Sequence, residues 1–189
     1  MLTDWLTHPR QATIIQAQTT YVRVAVAPTN APFRLDFRAK KEARLKPGAH
    51  GAITHHTTHP LLLDHNEPAV QLFLTSRPHD PQALGAAIVH CVDAFSQGWR
   101  DVPHYLCRWH RFQAVARVQQ TLQEGSGVLL YHAPASLAKA VIGVCQQHGV
   151  ATKHFGDPDG VLARPDPPSS VVLIGSNYVI AEHFLVRAL

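Results

Sequence analysis

The chain has 189 residues, 46% of them hydrophobic and 16% charged. That composition excludes an intrinsically disordered segment and is ample for a core that needs neither metal nor disulfide. Lys and Arg outnumber Asp and Glu by 17 to 13, a formal charge of +4, short of the surplus of a dedicated nucleic-acid coat protein.

Residues 12–76 read as strands. "ATIIQAQ" and "TYVRVAVA" are β-branched and alternate, with Tyr21, Arg23 and Ala25 on one face and Val22, Val24 and Val26 on the other. In "FRLDFR", Phe33, Leu35 and Phe37 face one way and Arg34, Asp36 and Arg38 the other. "AVQLFLTS" (69–76) is a further strand, and prolines and glycines punctuate the run. This half is expected to form an antiparallel sheet with one wet face.

The period then lengthens. Asp80 as N-cap and Pro81 at the first helical position open a helix whose buried stripe is Leu84, Ile88, Cys91, Val92 and Phe95. A second helix is expected from Asp101–Pro103 to Glu124, with Tyr105, Trp109, Phe112, Val115, Ala116 and Leu122 inward. "VLLYHA" is a strand, and "PASLAKAVIGVCQQHG" a helix with Leu137, Val141, Val144, Cys145 and His148 inward. "VATKHF" and "SSVVLIG" are strands, and "SNYVIAEHFLVRAL" is expected to be a terminal helix. The overall expectation is a mixed α/β protein: an N-terminal antiparallel subdomain over 1–78, then an alternating βα half over 79–189 with a small parallel or mixed sheet.

The tail "SSVVLIGSNYVIAEHFLVRAL" resembles the strand-and-helix element of TIR-type domains over some twenty residues, with no catalytic signature. The alternating half is too short for that whole domain, and no family is assigned.

Cys91, Cys107 and Cys145 form no C-x-x-C pair, and two of them sit in apolar helical stripes. No basic-then-apolar leader opens the chain and no apolar run is long enough for a membrane span. The expectation is free thiols, a cytoplasmic setting and no membrane partner.

"HGAITHHTTHP" (50–60) holds four histidines. His55 and His59 have the i, i+4 spacing of a helical zinc pair, but the position after His55 is His56 where a metalloprotease helix carries Glu, and Thr57, Thr58 and Pro60 oppose a helix. In a strand the two would stand about 13 Å apart at roughly 3.3 Å per residue. His104, Cys107 and His110 fan over about 120° of a helix, so three ligands do not converge. The reading is no metal and no cofactor. No nucleophile elbow or phosphate loop is present, so the catalytic residues, if any, are unassigned.

Two candidate sites remain. The first is cationic: "FRLDFRAKKEARLK" carries Arg34, Arg38, Lys40, Lys41, Arg44 and Lys46, and "WRDVPHYLCRWHRF" adds Arg108 and Arg111 among aromatics. Such residues contact phosphates while exposed aromatics stack on bases. The leading reading is a non-enzymatic protein binding an anionic partner, above all nucleic acid. The second candidate is a small-anion site of an enzyme or sensor, made by His132, Ser136, Ser176 and Asn177 at two strand-to-helix junctions. A third reading is a subunit acting with a protein partner or as a homo-oligomer, with "THPLLLD" and the strand edges as candidate surface.

Overall fold

The computed structural model describes residues 10–28, 31–96, 114–159 and 167–189. The chain divides into two compact units, Met1–Asn66 with Pro165–Leu189, and Glu67–Arg164. The last strands thus belong with the first. Four helices and nine strands form among the described residues.

The first unit is a closed six-stranded barrel. Its strands are β1 (Arg10–Ala17), β2 (Tyr21–Val26), β3 (Ala31–Arg44), β4 (His50–His56), β8 (Ser170–Ile174) and β9 (Asn177–Ala188). They follow the order β1-β2-β3-β9-β8-β4, and β4 returns to β1. Every pairing is antiparallel. Alternation works as the sequence predicts: Val22, Val24, Val26, Leu35 and Phe37 turn inward with Ile14, Val172, Ile174, Val179 and Ala181. Each such side chain contributes about 1.5–3 kcal/mol by leaving water.

The expected N-terminal open sheet is therefore corrected to a barrel completed by the C-terminal strands. Closure removes the sheet edges that would otherwise be exposed. The predicted terminal helix is also corrected, because residues 177–188 are β9. Tyr178, Val179, Ile180 and Ala181 are buried whichever way they point, so alternation is hidden, and a doubly buried run does not separate strand from helix by periodicity. From Glu182 onward, half-buried and exposed residues alternate. Gly175-Ser176, read as the lead-in to a helix, is a two-residue hairpin loop between Ile174 and Asn177, with Gly175 at φ +57° in the place where such loops take glycine. The resemblance to a strand-and-helix element lapses with that helix.

Between β4 and β5 lie a 3-10 turn (Pro60–Leu62) and the short helix α1 (Leu63–Asn66). Within "THPLLLD", Leu61 and Leu62 are buried, Leu63 and Asp64 half-buried and Thr58 exposed.

The second unit carries a three-stranded sheet of order β6-β5-β7, with β5 (Ala69–Leu74) central, β6 (Gly127–Pro134) and β7 (Thr152–Phe155). Helices α2 (Pro81–Ser96), α3 (Ala114–Glu124) and α4 (Ala135–Gln147) complete it. Asp80 caps α2 as predicted, its Oδ1 accepting from the Gln82 and Ala83 amides at 3.0 and 2.9 Å. Leu84, Ile88 and Val92 of α2 meet Leu137, Val141 and Cys145 of α4 and Leu72 and Leu74 of β5. His148, expected inward, is an exposed C-cap, and in α3 Val118 takes the buried place predicted for Ala116. Tyr105, Trp109 and Phe112 lie outside the described residues.

Both β6 and β7 run antiparallel to β5. The crossover through α4 thus joins two like-directed strands that are not neighbours, since β5 lies between them. The predicted parallel or mixed pairing does not occur among the described residues. Periodicity shows strand, helix, strand, but not the older strand inserted between.

Candidate nucleic-acid interface

The outer face of β2, β3 and β9 is set by register. Arg23 on β2 pairs with Arg34 on β3, and Arg34 pairs with Arg187 on β9, so three arginines lie in one row across three strands. The next row is Tyr21, Asp36 and Leu185. Beyond it Arg38 pairs with His183, both exposed. Adjacent strands lie about 4.8 Å apart, so the arginine row spans roughly 10 Å at its base.

Like charges placed opposite one another oppose pairing. Asp36 relieves part of this: Arg34 Nε donates to its Oδ1 at 2.7 Å, and Arg187 Nε approaches Oδ2 at 2.9 Å. The Arg34 guanidinium also lies 4.0 Å from the Tyr21 ring centroid, and that of Arg23 lies 5.9 Å from it. Three fixed positive charges share one carboxylate and one aromatic ring, which leaves a net positive strip.

Of the remaining cations of the predicted segment, Lys40, Lys41 and Arg44 are on the same long strand and Lys46 lies just beyond it. Lys40, Lys41, Arg44 and Lys46 are exposed. A bulge between Lys40 and Glu42, beside Ala39 at φ +49°, bends the strand there. Lys41 is paired with Glu182 at 2.6 Å. Glu42 accepts a short hydrogen bond from the Tyr178 hydroxyl and has His65 Nε2 at 3.5 Å. This end of β3 sets Lys40, Lys41, Arg44 and Lys46 against Glu42 and Glu182, and the Arg34 end sets Arg23, Arg34 and Arg187 against Asp36, so both ends stay net positive. Arg108 and Arg111, like His104, Cys107 and His110, lie outside the described residues.

Sequence reasoning missed Arg23, His183 and Arg187 as partners of Arg34 and Arg38. The outward position of Arg23 was legible from the alternation of β2. Arg187 and His183 were hidden by the helix assigned to the tail.

The residues of the second candidate site are divided between the units. His132 and Ser136 belong to one unit, and Ser176 and Asn177 to the other. At the start of α4 the Ser136 amide and hydroxyl both donate to Glu67 Oε2, at 2.9 and 2.6 Å. The chain's own carboxylate occupies the helix N-terminus, where an anion would sit. Asn177 Oδ1 accepts from the Lys46 amide at 3.0 Å, and Ser176 is an exposed hairpin residue.

The histidines of 50–59 disperse. His55 pairs in register with Val172 of the barrel core, and its ring meets Phe184 edge-on at 5.8 Å. It therefore points into the barrel, where Nε2 is 2.9 Å from Ser170 Oγ. Burial, and then the neighbouring His56, push its pKa down. His56 points to the other face, 2.9 Å from Thr54 Oγ1, and His59 Nδ1 accepts from the Leu61 amide at 3.1 Å. His50 Nδ1 stands 2.9 Å from Thr13 Oγ1. Among the described residues no three His, Cys, Asp or Glu side chains gather as metal ligands.

Cys91 and Cys145 are free thiols in the second unit's core. Burial raises both, and Cys145, also beside Cys91, is pushed up to about 11. Cys107 is outside the described residues. Among the described residues no helix is long and apolar enough to cross a membrane.

Comparisons with family models, with curated proteins and with solved structures return no match.

Proposed function

We propose that this is a non-enzymatic nucleic-acid-binding protein whose barrel presents the outer face of β2, β3 and β9 to a phosphate backbone. The observation that carries the reading is the in-register row Arg23–Arg34–Arg187, answered among the described residues by Asp36. Guanidinium groups suit phosphate because their planar donors match its oxygens two at a time. Arg38 and His183 extend the strip, and the exposed Lys40, Arg44 and Lys46 add charge to the first unit. A rigid, closed barrel holds these side chains at fixed spacing, so little order is lost when phosphates arrive. A reducing, cytoplasmic setting accords with the free thiols of the half-buried Cys91 and the buried Cys145.

Fluorescence anisotropy with labelled oligonucleotides tests the reading. Replacing Arg23, Arg34 and Arg187 by Gln abolishes or strongly weakens binding while the barrel stays folded. Unchanged affinity in that variant contradicts it.

A further inference from the structure

The sheet of the second unit has one face against its helices and one turned away. The outward face carries residues that neither the barrel strip nor the core uses. Val70 pairs with Ala133 and Leu72 with Leu130, all four buried, so on β5 only Gln71 lies between these pairs while β6 has both Tyr131 and His132. Two residues opposite one make a β-bulge. Because both flanking positions of β6 face the core, the bulge turns Tyr131 and His132 together onto the outer face, and both are exposed. His132 holds φ +53° to do so, a conformation unusual for a residue with a side chain. Its ring stands against that of Tyr131, centroids 4.3 Å apart.

On the other side of β5, Gln71 pairs with Phe155 and Phe73 with Lys153. Phe73 and Phe155 meet edge-to-face at 5.6 Å, which places them on one face. Phe155 is 68% exposed and Tyr131 39%. One row across the three strands is therefore Tyr131 and His132, Gln71, then Phe155, with Phe73 and Lys153 in the row beside it. None of these six residues is acidic.

We infer that this face is a stacking platform for single-stranded nucleic acid, a site separate from the barrel strip. Tyr131 and Phe155 offer two aromatic surfaces about two strand spacings apart, roughly 10 Å, with the Gln71 amide between them for a base edge. Lys153 supplies charge for the backbone. Exposed aromatics on a sheet, spaced by polar and cationic side chains, take unstacked bases; a duplex keeps its bases stacked and cannot use them. An apolar protein partner would call for contiguous aliphatic surface, which Gln71, His132 and Lys153 interrupt.

The test uses the full chain with a short labelled single strand and the matching duplex. Phe155→Ala and Tyr131→Ala each weaken single-strand binding by about 5- to 150-fold, as loss of one stacked base requires. They leave the salt dependence and the thermal melt unchanged. Phe155→Leu, which keeps apolar bulk without a ring, weakens binding too. Photocrosslinking of a thiouracil-containing strand labels the peptides holding Tyr131 and Phe155. Aromatic variants that bind like the wild type, or crosslinks absent from both peptides, overturn the platform. If the arginine-row variant alone loses binding, the platform falls and the barrel strip stands. If the aromatic variants alone lose it, the strip falls and the platform stands. A wild-type chain that binds no single strand at low salt removes both.

Discussion

Arg34 and Arg187 face each other on neighbouring strands and reach opposite oxygens of one carboxylate, that of Asp36. Asp36 is 16% exposed, against 34% and 57% for its partners, so it is the anchor and they are the reach. Replacing it by Asn removes the carboxylate and leaves the arginines. Surface pairs contribute about 0.2–1 kcal/mol each, so Asp36→Asn lowers unfolding free energy by about 1 kcal/mol at low salt and less at high salt. The same change tightens oligonucleotide binding. Urea unfolding at two salt concentrations and a binding titration check both signs; a variant that loses affinity would mean that Asp36 positions the arginines more than it neutralises them.

Barrel closure rests on a close approach of Gly51 to Gly175. A Cβ on Gly51 would stand 2.4 Å from the Gly175 Cα, and one on Gly175 would stand 2.8 Å from the His50 carbonyl oxygen, with φ already at +57°. Backbone cannot retreat as a flexible side chain can. Overpacking of this kind costs about 1–3 kcal/mol and more where backbone must move, so Gly51→Ala and Gly175→Ala each lower the denaturation midpoint sharply. At Gly143 a Cβ meets nothing within 4 Å, so Gly143→Ala is the control and does not lower stability.

How much of this was readable beforehand differs between the units. The strands β1 to β3 and the N-cap of α2 followed directly from alternation and from Asp80-Pro81, because their pattern is local. The barrel was not legible, since closure depends on β9, and the run Tyr178–Ala181 is buried throughout and carries no period. The cations Arg34 and Arg38 were visible on the outward face of β3. Their neighbours Arg187 and His183 became visible only once register was known, for a row across strands has no signature along the chain. Glu67, which fills the α4 N-terminus, lies far from Ser136 in sequence and was equally hidden.

His55 gives the barrel a pH dependence. Its pKa lies below the ordinary 6.5 through burial first and His56 second. A histidine depressed in the folded state contributes stability that is complete above its unfolded pKa and is lost as pH falls. Acidification from pH 7.5 to 5 therefore lowers stability more in the wild type than in His55→Gln. Paired urea titrations at the two pH values measure the difference; equal losses would place His55 outside the acid response.

Cys145 adds an alkaline response. Cys145 is raised from 9.0 to about 11 by burial and then by Cys91. A group raised in the folded state contributes stability that is complete below its unfolded pKa and is lost as pH rises through the folded one. The second unit thus weakens between about pH 9 and pH 11, and Cys145→Ala flattens that loss. Thiol titration in denaturant without reductant counts all three cysteines as free, while in the native protein Cys145 reacts slowly. A count of one would mean an intrachain disulfide and contradict the reducing setting.

The most direct measurement for the barrel strip is the salt dependence of oligonucleotide affinity, compared between the wild type and the Arg23→Gln, Arg34→Gln, Arg187→Gln variant. Each phosphate contact adds about 0.7 to the log–log slope on a single strand and about 0.9 on a duplex. If the arginine row engages the backbone, the variant's slope is shallower by about 2 on single strands. Identical slopes in wild type and arginine variant would contradict the account, whatever the absolute affinity.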